Sequence, residues 1–340
     1  MKAAVAEIEA YRNLYPDVKQ LTFPIFKARP WQNANSFQLT LDKVADAVGG
    51  YPFGLALDGT RFEHVNRKQA QAEFDALFDH RDGFSAYYRA LANLPGAVPV
   101  WMPTKSHKEL VAQIANVDKL DRGLIVHQKR GAALPQFARL LSLRSPLPHD
   151  TVFVADAGWS RDYQALEAWT LPVVERINLA LPEAEIAVVS SSFPSSFRHI
   201  IGHREEIGTE RVLFATIRQR FNRANLTYGD WGSTRPSLTG GGGKRIPSRV
   251  DLPRPTSWDI FRADPENDLG FGEMAWAASH HPSFPLTPSC WGKDMILTTD
   301  DKQNGINSRP SAAKVRLNIH MTLQSGADTT LPLDEAPYQD

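Results

Sequence analysis

At 340 residues the chain is long for one ordinary domain, though a large α/β barrel reaches this size. Its 42% hydrophobic content can fill a sizeable core, and 38 basic residues balance 38 acidic ones, which disfavours wholesale coating of nucleic acid. A single cysteine, Cys290, excludes an intrachain disulfide or a cysteine-rich zinc site, and with no signal-like start and no apolar run near a membrane span of about 18 residues, a cytoplasmic protein without membrane contact is expected.

Short strand-like apolar runs alternate with longer segments of helical spacing. LTFPIFKAR (21–29) is the first predicted strand, followed by a helix over 36–48. FGLALD (53–58) is the second, followed by helical pieces at 70–80 and 86–94. VPVWMP (98–103) is the third, and its helix at 106–117 starts with Ser106 as N-cap and Glu109 in the capping-box position. GLIVHQ (123–128) and DTVFVADAG (150–158) are the fourth and fifth, each followed by a helix. EIAVVSSSF (185–193) is the sixth, with a helix at 209–221, and NLTYGDWG (225–232) is the seventh. The stretch 245–263 is expected to hold an eighth, and 312–325 a closing helix.

Near-continuous apolar strands alternating with helices point to a parallel sheet buried on both faces. Eight such alternations predict a (β/α)₈ TIM-like barrel over residues 1–325, with an open doubly wound α/β sheet as the alternative. No G-x-G-x-x-G follows the first strand, against a dinucleotide-binding domain. Residues 233–249, with four successive glycines at 240–243, are expected to form a rim loop and candidate lid. Residues 281–294 read as an irregular insertion, and 326–340 as a disordered acidic tail.

Functional groups of an α/β barrel gather at the C-terminal ends of its strands. Those ends carry Lys27 and Arg29, Asp58, His127 and Lys129, Asp156, Ser190 to Ser192, Asp230 and Arg249. Most also have a plain structural reading. Asp58 and Asp156 suit Asx-turns, and the serines suit a hydroxyl-rich loop, lacking the G-x-S-x-G elbow. His127 sits in an apolar run and fits a core histidine. His280 and His281 have no neighbouring acid at metal spacing, so no zinc site is expected there. Lys27 is the least bland, because a lysine inside a barrel strand needs a carboxylate or an anionic ligand to stay charged.

Two chemistries follow. Clustered acids would suit Mg²⁺, with Lys27 and Arg249 neutralising phosphate oxygens in a phosphodiester hydrolysis. In that reading Asp156, Asp230, Lys27 and Ser192 are the catalytic candidates, while Arg29, Asp58, His127, Arg249, Trp231 and Trp258 bind substrate. The metal is left unassigned, and a nucleotide or nucleic acid is the ligand class. A Schiff base on Lys27 with an aspartate as acid/base ranks second. A third reading has no chemistry, only a buried charge network or a recognition pocket. Whether the chain is an enzyme therefore stays open.

FPIFKAR, VVSSSFPSSF, TERVLF, LTYGDWG, PSCWGKDMI and LNIHMTL, in that order, resemble the beta protein family of phages and bacteria, named for a bacteriophage T4 protein. The fragments spread over most of the chain. The resemblance implies a single-domain barrel that acts in phage–host conflict, as antiviral defence or as a phage-encoded protein. It also implies a partner, either a nuclease-like protein or a phage component. The competing expectation is a non-catalytic recognition or scaffold subunit, for which the segments around Trp231, Trp258 and Trp291 suit protein contact.

Overall fold

The computed structural model describes residues 1–59, 69–104, 106–132, 134–141, 147–148, 150–222, 225–236, 246–300 and 305–326. Strands β1 (Ile25–Ala28), β2 (Phe53–Leu57), β3 (Ala97–Pro99), β4 (Leu124–Lys129), β5 (Thr151–Trp159) and β6 (Glu185–Ser191) each overlap a predicted run. So does β8 (Leu226–Asp230), whereas β7 (Gly202–Ile207) arises where no strand is expected.

Parallel ladders join β1, β2 and β3, and join β4, β5, β6 and β8, in that order. A parallel bridge between Val100 and Ile125 links the two ladders. Parallel neighbours require long crossovers, and helices supply them. Among these are Gln38–Val48, His107–Leu120, Tyr163–Ala180 and Glu210–Phe221. Ser106 caps its helix as expected: the Glu109 N–H donates to Ser106 Oγ at 3.2 Å, and the Ser106 N–H donates to Glu109 Oε2 at 3.3 Å.

The result is a mixed α/β fold with parallel sheets. Among the described residues no ladder joins β8 to β1, and an open parallel sheet accommodates the pairing as found. Successive strand side chains face opposite ways, and both faces are buried. Phe26, Leu55, Val126, Phe153 and Val188 face the main core shared with the helices. Ala56, Val100, Ile125 and Val154 form a smaller apolar cluster on the other face.

The region 245–263 corrects the expectation of an eighth parallel strand. It folds as a hairpin of β9 (Arg249–Pro253) and β10 (Ser257–Arg262), closed by the Arg254 N–H donating to the Ser257 carbonyl at 2.8 Å. Pro253 and Pro255 break the run and favour the turn. β10 also pairs with β7, giving a separate antiparallel sheet in the order β7-β10-β9. One face of this sheet packs Trp258 and Ile260 on Phe193, Phe197 and Ile200. The other packs Val250, Leu252 and Phe261 on the helices Phe271–Ser279 and Trp291–Asp300. β7 escapes sequence reading because its residues GHREEI carry no apolar alternation; its pairing with β10 makes it a strand.

The stretch 281–294 is more regular than expected, with a 3₁₀ turn at Phe284–Leu286 and a helix beginning at Trp291. Residues 237–245 of the expected rim loop, with its glycine run, and residues 327–340 of the expected tail lie outside the described residues. No helix among the described residues is long and apolar enough to cross a membrane.

Candidate functional site

The two-residue period of a strand selects which strand-end groups share a face. Ile25 and Lys27 on β1, Ile125 and His127 on β4, and Val154 and Asp156 on β5 all face the same cavity. Each strand thus presents an apolar residue first and a polar one at its C-terminal end. The cavity is about 470 Å³, the size range of small-molecule sites. From β8 and its following turn come Asp230 and Trp231, and the last helix, Arg309–Gly326, adds His320.

Asp156 organises one side. His127 Nε2 lies 2.8 Å from Asp156 Oδ2, while Oδ1 accepts the Gly158 N–H at 3.0 Å and the Trp231 indole N–H at 3.1 Å. Burial pushes the Asp156 carboxyl up, but the His127 hydrogen bond and charge and the Lys27 charge outweigh it, so its pKa falls below the usual carboxylate value. Burial lowers the Lys27 ammonium pKa; Asp156 and Asp58 oppose that shift and Lys129 adds to it. Lys129 Nζ stands 5.3 Å from the centre of the Trp231 ring, within cation–π range.

Asp230 organises the other side. Its Oδ2 accepts the Tyr228 hydroxyl at 2.7 Å and lies 2.7 Å from His320 Nε2, and its Oδ1 accepts the Gly232 N–H at 2.6 Å. Burial pushes this carboxyl up as well, yet the His320 charge and these hydrogen bonds hold it at about 2. Burial, with Asp230 and Glu210 nearby, drives the Tyr228 hydroxyl well above its ordinary value, and the Arg211 guanidinium lies 3.6 Å from the Tyr228 ring centre. Two glycines let the chain make this turn. A Cβ on Gly229 would come within 2.7 Å of Val189 Cγ2 on the paired strand, and Gly232 has a φ of +67° in the left-handed region.

Two histidine–carboxylate pairs thus face one cavity, joined through Trp231. In each pair the carboxylate fixes the orientation of the ring, as in the histidine–carboxylate pairs of acid–base sites. The carboxylate oxygens are themselves occupied by hydrogen bonds. The His320 Nδ1 atom, by contrast, is buried without a hydrogen-bond partner among the described residues. Among the described residues, the cluster of side chains spaced for a metal lies elsewhere, at His203, Asp259 and His281.

Of the residues singled out from the sequence, Lys27, His127, Asp156, Asp230 and Trp231 come together here. Arg29 and Asp58 are not among the lining residues, although the Asp58 charge acts on Lys27. Ser192 is fully buried away from the cavity; its hydroxyl donates to Glu210 Oε2 at 2.8 Å and accepts the Thr209 N–H at 3.0 Å. Arg249 lies against the Phe197 ring and pairs with Asp251 at 2.9 Å, and burial lowers its pKa to about 10 despite that partner. Trp258 is 3% exposed and donates to Ser233 Oγ at 2.8 Å, so its ring faces neither ligand nor solvent. His320 and Tyr228 were missed. A rule that reads strand ends does not reach a helix residue, and the available signal was the histidine in LNIHMTL.

The family model for Beta protein matches residues 1–326. Protein beta of Enterobacteria phage P4 is 25% identical over 330 residues, covering 95% of this chain and 91% of the relative. The resemblance pointed to phage T4; this relative is from phage P4. No solved structure matches the chain. A family match spanning both cavity-lining strands and the last helix, together with a relative aligned nearly end to end, leads to one conclusion: the chain belongs to the Beta protein family.

Proposed function

We propose that the chain is a closed α/β barrel that binds a small phosphate-bearing ligand of nucleotide size at its strand C-termini and hydrolyses a phosphate ester there. The closed form is supported by the cavity walls, which run from β1 to β8 with the last helix between them. The observation that carries the reading is Lys27. Its ammonium is held in the cavity at a desolvation cost, opposite two histidine–carboxylate pairs. A half-buried, partly desolvated cation lining a cavity favours an anionic ligand.

In this mechanism Lys27 neutralises phosphate charge, and Trp231 offers its indole face to a base or sugar. His127, oriented by Asp156, takes a proton from water. His320, oriented by Asp230, gives a proton to the leaving oxygen. The two aspartates act as positioning residues, each holding one histidine ring. A role in phage–host conflict draws support from the phage relative.

A second reading, a recognition subunit for a nuclease-like partner, draws on the exposed apolar side chains of Leu269, Trp276 and Leu286. Turnover of nucleotide phosphodiesters by the purified chain separates the two. The hydrolase reading expects turnover that falls by about 10²–10⁴-fold in His127→Ala and in His320→Ala, with circular dichroism unchanged. Ligand binding with no turnover in the native chain would favour recognition instead.

A further inference from the structure

The antiparallel sheet carries a second cluster of chemical groups, outside the cavity. His203 on β7 pairs in register with Phe261 on β10. Asp259 lies two residues before Phe261, so its side chain falls on the same face of the sheet as His203. His281, just beyond the helix Phe271–Ser279, brings its ring to 4.3 Å from the His203 ring, centre to centre. One ring nitrogen from each histidine and one Asp259 oxygen lie within 4.8 Å of one another.

We propose that His203, Asp259 and His281 form a binding site for a divalent transition-metal ion of the zinc class, with a further position open to water. The donor types are those such ions select: imidazole nitrogens with one carboxylate oxygen. The spacing also fits. Zinc holds nitrogen and oxygen donors at about 2.0–2.2 Å, so tetrahedral donors stand about 3.3 Å apart. Here one donor atom from each of the three residues lies within 4.8 Å of the others, with His203 Nε2 2.9 Å from Asp259 Oδ1 and His281 Nδ1 3.9 Å from Oδ2, so modest side-chain shifts bring them to one ion.

Outer contacts hold the donors in place. Ser283 Oγ donates to Asp259 Oδ2 at 2.7 Å, and the Ser283 N–H donates to His281 Nδ1 at 3.3 Å. Ser283 Oγ also lies 2.7 Å from His281 Nδ1, so Ser283 orients the ring and would give up these contacts at that nitrogen to an incoming ion. His203 stacks on Phe261 at 4.8 Å, which limits its ring to one orientation. Arg254 pairs with Asp259 Oδ2 at 3.4 Å, and a bound ion would have to displace that cation from the carboxylate. Access is one-sided, since the Asp259 side chain is 2% exposed while those of His203 and His281 are 37% and 24% exposed. An ion there would tie the segment after Phe271–Ser279 to the strand pair β7 and β10.

Metal titration of the chelator-stripped full chain tests the proposal. Zn²⁺ binding is followed by calorimetry and metal content, and Co²⁺ substitution by its visible absorption. The native chain is expected to take up one equivalent, with Mg²⁺ failing to compete. His203→Ala and His281→Ala should each weaken binding at least ten-fold, while His280→Ala, next door but outside the cluster, should leave it unchanged. Absence of saturable uptake by the native chain, or native affinity in His203→Ala, overturns the proposal. His203 is the most exposed of the three, so His203→Ala decides the matter even where His281→Ala fails to fold.

Discussion

The cavity and the antiparallel sheet use the same two residue types in different ratios. In the cavity each histidine has its own carboxylate, His127 with Asp156 and His320 with Asp230. In the sheet His203 and His281 share one carboxylate, Asp259. One carboxylate per ring fixes two separate histidines that line one cavity. One carboxylate for two rings gathers two imidazoles and a carboxylate at a single point, the donor types a transition-metal cation takes. The local chemistry thus follows from how the carboxylates are distributed, and the backbone decides that distribution: parallel strands spread their ends around a cavity, whereas a tight antiparallel ladder brings neighbours together.

The largest test breaks the cavity side at Asp230. Asp230→Ala would strand His320, the Tyr228 hydroxyl and the Gly232 N–H in a buried setting. Urea unfolding should register a loss of about 3–5 kcal/mol, the usual cost of removing one partner of a buried pair. A loss below about 1 kcal/mol would mean that Asp230 is not the hub described here. Next comes the close approach of β8 to β6. Gly229→Ala should cost about 1–3 kcal/mol through overpacking against Val189, and Val189→Ala in the same chain should return part of it. A double variant no better than the single one would contradict that contact.

Acid sharpens the comparison with a smaller effect. Asp230 titrates near 3.8 when unconstrained and at about 2 in the fold. A depressed carboxyl pKa contributes stability that is fully present above the unfolded value and is lost as pH falls through the folded one. The native chain should therefore lose roughly 2 kcal/mol between about pH 4 and pH 2 from this group. Asp230→Asn should remove that part of the slope when unfolding is followed across the same range.

Much of the parallel half was legible in the sequence, because its signals are local. Apolar runs marked β1 to β6 and β8, the Ser106 capping box marked a helix start, and strand-end position picked out Lys27, His127, Asp156 and Asp230. Strand period explains part of the remainder. Ser192 and Trp258 also lie near strand ends or in strands, but their side chains point into packed layers. Contacts distant in sequence were the least legible. Nothing near His281 advertises Asp259 or His203, and the pairing exists only because β7, a polar strand, adds to β10. His320 likewise meets Asp230 only when the last helix closes over the cavity. Hairpin formation at 249–262 required weighing two prolines above an apolar run.

The central claim is that the cavity behind Lys27 is an anion-binding ligand site, and calorimetric titration with nucleoside phosphates tests it most directly. The account predicts saturable binding at one ligand per chain. It also predicts at least ten-fold weaker binding, about 1.4 kcal/mol, in Lys27→Met with the melting temperature little changed. Binding that is absent from the native chain, or equally tight in Lys27→Met, would contradict it.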